Sequence, residues 1–107
     1  MKSLIEREKG FEAEFKRNQE LAFRITARRN RLFGMWAAGR LSLEAGEPAE
    51  TYAKSVVAAD FEMPGDGDVI AKVNSNLAER GVAVTEQELR AELGRAAVEA
   101  RWQLMQP

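Results

Sequence analysis

Apolar residues recur at three- and four-residue steps in several blocks of this chain, and glycine or proline punctuates the gaps between them. That period belongs to helices with one buried side, and it leaves no room for the alternation of a half-buried strand. Leu, Ala, Glu and Arg are abundant while Thr and Tyr are scarce, which favours helix over sheet again. The expected class is all-α.

The first block runs over 21–41. Leu21, Ile25, Leu32, Met35 and Trp36 form its expected apolar side, with alanines filling gaps. Gly34 and Gly39 each weaken the helix by about 1 kcal/mol relative to Ala, and a glycine there lets a neighbouring helix come close. A second helix is expected over 48–62, opened by Pro48 and carrying Tyr52, Val56 and Ala59 with Ala53, Val57 and Phe61 beside them. Pro64-Gly65 stops it. A third is expected over 68–80, capped by Asp66 or Asp68, with the stripe Val69, Ile70, Val73 and Leu77 and with Gly81 as a left-handed stop. The middle of that helix holds the poor helix formers Asn74, Ser75 and Asn76. The fourth, over 86–104, has the clearest start, since Thr85 and Glu88 have capping-box spacing and Val84 can staple onto Leu89. Leu89, Leu93, Ala96, Ala97, Ala100 and Leu104 continue it, and Trp36 and Trp102 are expected to supply core bulk. A compact four-helix bundle over 21–107 follows.

Residues 1–20 fit that bundle poorly. Glu12 with Lys16, Glu14 with Arg17 and Glu20 with Arg24 support a helix by a few tenths of a kcal/mol each, while Gly10 offsets much of that gain. Leu4, Phe11 and Phe15 make a thin apolar stripe. Two readings stand level: a mobile or marginally helical arm that orders on a partner, and a solvated extension of the first helix.

Absent residues narrow the chemistry. The 107-residue chain has no cysteine and no histidine, which removes disulfides, thiolate nucleophiles, the commonest general base and a histidine-based pH switch. A non-enzymatic protein with no cofactor and no metal is expected. Asp60, Glu62, Asp66 and Asp68 gather around one turn, but their spacing does not match an EF-hand, and helix stop and helix cap explain them. There is no apolar run of about eighteen residues and no apolar leader, so the cytoplasm is the expected location.

The formal charge of −1 hides an asymmetry: Arg24, Arg28, Arg29, Arg31 and Arg40 lie in a stretch without any acid, whereas the later helices are acidic. Ion pairs between helices explain this most simply. The alternative is a nucleic-acid-binding module that uses the Arg24, Arg28 and Arg31 face. No stacking platform or helix-turn-helix pattern accompanies it.

The stretches EREKGFEAEFKRNQELAFRITARRNRLFGMWAAGRL and YAKSVVAADFEMPGDGDVIAKV resemble the zeta-subunit inhibitor family of the alphaproteobacterial F-type ATP synthase. The FEAEF arm, the ARRNRLFGMWAA block and the ADFEMPGDGDV turn carry the resemblance, in this order and at this spacing. It implies a small four-helix protein whose N-terminal segment enters a catalytic interface between the alpha and beta subunits of the ATPase head and stops hydrolysis. The central rotor subunit is a further candidate partner, and the protein would sit on the head at the inner face of the membrane. Carried over by position, residues 1–20 are the inhibitory segment. Within it, Arg7, Lys9, Phe11, Phe15, Lys16 and Arg17 are the expected contacts, with the two phenylalanines as anchors and the charges setting register. Gly10 stands where alanine would suit a helix better, and Gly39-Arg40 interrupts the Ala-rich end of the first helix.

Overall fold

The computed structural model describes residues 4–60 and 65–106, with side chains from residue 9 onward. Four helices and no strand occur among them: α1 Leu4–Arg40, α2 Glu47–Ala59, α3 Gly67–Glu79 and α4 Glu86–Leu104. The all-α, four-helix expectation holds. Phe61, Glu62 and Pro64, placed above at the end of the second helix, lie outside the described residues.

α1 sets the shape. At 1.5 Å per residue its 37 residues span about 55 Å, against overall extents of 65 × 27 × 21 Å. It passes residue 20 without a break, and residues 9–20 are exposed throughout. Residues 9–20 thus continue α1 outward as an exposed helix, an arrangement that suits a marginally helical segment as well as a solvated extension. The helix ends in a reversed turn, where the Leu43 N–H donates to the Ala38 carbonyl at 3.0 Å and Ser42 adopts φ 60°.

α2 and α4 grip the second half of α1, and α3 closes the remaining side. The core is built on Phe33, Leu77, Leu89, Val56, Val69 and Val73, all fully buried. The stripes expected on α3 and α4 are the buried ones, with Ala97 and Leu104 half-buried at the edge. On α1 the expected side needs correcting. The deepest line is Asn30, Phe33, Gly34, Ala37, Ala38 and Leu41, whereas Leu21, Ile25, Leu32, Met35 and Trp36 form a half-buried flank. Small residues decide it: where α1 offers Gly and Ala, neighbouring helices come closest, and that side becomes the centre. Trp36 stacks on Phe33, ring centroids 5.7 Å apart. Trp102 is a second correction, being 62% exposed on the outside of α4.

The end signals operate as chemistry requires, with two adjustments. The Thr85 side chain accepts from the Glu88 N–H at 3.0 Å, and Gly81 takes φ 72° as the Val82 N–H reaches back to the Leu77 carbonyl at 2.9 Å. α2 stops at Ala59 rather than near 62, because the Asp60 N–H already bonds the Val57 carbonyl in a tightened last turn. Asp66 is the N-cap residue of α3, but its side chain makes no capping bond; it is paired elsewhere.

Candidate partner-binding face of α1

A helix turns 100° per residue, so positions eighteen apart share one direction after about five turns. Phe15 therefore stands on the same side of α1 as Phe33, and Phe11 and Ala22 fall within a small angle of that line. Inside the bundle this side is the most buried surface of the protein. Beyond the bundle it carries Phe11, 71% exposed, and Phe15, 64% exposed. An apolar line that neighbouring helices cover at one end thus runs out uncovered at the other.

The remaining expected contacts divide around the helix. Lys9 and Lys16, seven residues apart, lie together on the side away from the phenylalanines, and Arg17 lies nearly opposite Phe15; all three are exposed. Arg7 belongs to α1, but its side chain is outside the described residues. The five positions with described side chains thus form an amphipathic rod, with an aromatic edge and a basic side, rather than one patch.

At the root of this rod Lys16, Gln19, Glu20, Phe23 and Arg24 line a shallow groove. It continues between Phe23, Arg24, Ala27, Arg28, Arg31, Val57 and Leu104 where α2 and α4 meet α1. Phe23, 58% exposed, did not figure among the expected contacts. It lies off the side of α1 expected to be apolar, which was the signal available.

The arginine face is largely committed to the bundle. Arg31 pairs with Glu50 of α2 at 2.6 Å, and the Arg28 Nη1 donates to Gln103 Oε1 of α4 at 2.7 Å. Arg29 pairs with Asp66 at 3.0 Å and donates through Nε to the Asn30 Oδ1 at 3.0 Å. Two of the five arginines thus meet carboxylates outside α1, and Arg28 meets a neutral amide, which accounts for part of the charge asymmetry of the sequence.

Asp66 of the acidic turn is engaged with Arg29, and Asp60 caps α2. Glu62 lies outside the described residues, and among the described residues no three carboxylates gather closely enough to hold a metal ion. No described helix is long and apolar enough to cross a membrane.

A family model described as ATPase inhibitor subunit zeta matches residues 1–103. This chain belongs to that family. No curated protein matches it. Membership makes the protein a regulatory, non-enzymatic partner of the ATP synthase, and it covers both the exposed part of α1 and the bundle. In this zeta-family chain, catalytic groups need not be sought, and the uncovered aromatic line gains a context.

Proposed function

We propose that the exposed N-terminal part of α1 docks into a catalytic interface between the alpha and beta subunits of the F-type ATP synthase head and blocks ATP hydrolysis. Phe11 and Phe15 fill apolar pockets there, and Arg7, Lys9, Lys16 and Arg17 fix register and speed encounter. The bundle stays outside as the mass that keeps the rod in place, at the cytoplasmic side of the membrane. The observation that supports this most is the aromatic line of α1 continuing past the bundle with Phe11 and Phe15 exposed among the described residues. Two exposed phenylalanines on a soluble helix are costly unless another surface covers them.

The test is hydrolysis by the matching ATPase head, titrated with the full chain, with a chain lacking residues 1–18, and with Phe11→Ser/Phe15→Ser. Inhibition by the full chain alone is the expected result. Equal inhibition by all three, or none by any, overturns the proposal. The nucleic-acid alternative gains no support, since Arg28 and Arg31 already have partners within the bundle.

A further inference from the structure

The second group of exposed large apolar residues lies on the outside of α4, far along the chain from the aromatic rod. Val98 is 72%, Trp102 62% and Met105 63% exposed, and their spacing of four and three residues puts them on one side of the helix. The preceding turns of that same side hold Gln87, Ala91 and Gly94, all exposed. A Cβ built on Gly94 would meet nothing within 4 Å. The outer side of α4 is thus small in its first half and large in its second, and it carries no carboxylate.

We infer that this side of α4 pairs with the same side of a second copy, antiparallel, about a two-fold axis near residue 96. Such an axis places Trp102 of one copy over Ala91 of the other and Val98 over Gly94, so these two large residues each meet a small one. Gln87 comes opposite Met105. A self-complementary patch of this kind closes as an isologous dimer and leaves nothing to propagate. On one flank Arg95 of each copy comes beside Glu99 of the other, adding an opposite charge to the contacts these side chains already make with Glu92 and Gln103 of their own helix. On the other flank Arg101 approaches Arg90 of the second copy, whose charge Glu86 already offsets through a pair at 2.9 Å.

The size of the contact sets its strength. A helix of 19 residues is about 28 Å long and 10 Å wide, which limits what two of them can bury side by side. Stable interfaces bury about 1,200–2,000 Å², more than this one strip of helix supplies, so the dimer is weak and reversible. The inhibitory reading plays no part in this inference.

Because the chain has no cysteine, single cysteines report the geometry cleanly. Gly94→Cys and Val98→Cys proteins are mixed under mild oxidation, beside each protein alone. The antiparallel pair predicts the mixed 94–98 disulfide at least tenfold faster than either homodimer. Sedimentation velocity of the cysteine-free full chain from 10 µM to 2 mM should show a monomer–dimer equilibrium, and Trp102→Glu, at an exposed position, should weaken it at least tenfold. A purely monomeric chain at 2 mM, self-association indifferent to Trp102→Glu, or a 98–98 disulfide forming fastest overturns the inference. So does a monomer that uses Trp102 to bind anionic phospholipid vesicles, which would make a lipid surface the occupant.

Discussion

Gly34 of α1 lies directly against Ala53 of α2: a Cβ added at Gly34 would stand 2.8 Å from the Ala53 Cα and 3.2 Å from its Cβ. The obstacle is backbone, so a rotamer change cannot relieve it. The two helices touch here because neither residue has bulk to hold them apart, and that contact drives Phe33 and Ala37 into the centre.

Gly34→Ala should therefore separate α1 from α2 and destabilise the fold. Overpacking costs about 1–3 kcal/mol, offset by the helix preference of alanine, about 1 kcal/mol. Gly39→Ala is the control, since nothing lies within 4 Å of its added Cβ. Urea unfolding should show a net loss of up to about 2 kcal/mol for Gly34→Ala and a gain of up to about 1 kcal/mol for Gly39→Ala. A gain in both would mean that the close contact is not a constraint.

Tyr52 is the only tyrosine of the chain. Its hydroxyl donates to the Asn76 Oδ1 at 2.9 Å, and the Lys72 Nζ lies 5.6 Å from the ring centroid. Burial pushes its pKa from 10.0 up to about 12. Burial favours the neutral form, so between about pH 10 and 12 the folded chain holds a proton that the unfolded chain has lost. This contribution to stability is fully present below pH 10 and fades as pH rises through 12. Absorbance at the phenolate band should show a midpoint well above that of free tyrosine, falling to the free value in denaturant. Asn76→Ala, by opening the site, should lower the native midpoint.

Arg29 ties α1 to the start of α3. Its side chain is 13% exposed; Nη1 pairs with Asp66 at the start of α3, and Nε donates to Asn30, which is 1% exposed. Removing it strips a buried amide of its donor, at about 1–3 kcal/mol. Asp66 is 51% exposed, so losing that partner costs only about 0–1 kcal/mol. Arg29→Ala should thus exceed Asp66→Ala in unfolding experiments. The reverse order would make the exposed ion pair the more important contact.

These residues also indicate what a single sequence reveals about this fold. Helix ends were legible because the signals are local: Thr85 needs only Glu88, and Gly81 only the turn before it. The core sides of α3 and α4 were legible because one large-residue stripe stands out on each. α1 was not, since its deepest line sets Phe33 and Leu41 among Asn30, Gly34, Ala37 and Ala38, and smallness becomes burial only when a second helix arrives. Trp102 misled for the converse reason: bulk suggested core, but α4 has two apolar sides and only one fits the bundle. The N-terminal segment stays undecided in sequence because helix propensity and apolar content there are each marginal. Its candidate contacts came from resemblance, and only the helical register reveals that Phe11 and Phe15 prolong the line of Phe33.

Gly10 lies in this exposed part of α1, one residue before Phe11, and an added Cβ there meets nothing within 4 Å. Nothing in the isolated protein needs glycine at this position. Glycine costs a helix about 0.8–1.0 kcal/mol relative to alanine. If the rod must be helical when docked, Gly10→Ala lowers the ordering cost without touching a contact. Half-inhibition of ATP hydrolysis should then occur at a concentration up to about fivefold lower, matching about 1 kcal/mol, with more helix in the circular dichroism of the free chain. Gly10→Pro, which breaks the interior of the helix at a cost of about 3 kcal/mol or more, should abolish inhibition while the unfolding midpoint of the bundle stays unchanged. Unchanged inhibition by both variants would show that the segment does not act as a helix.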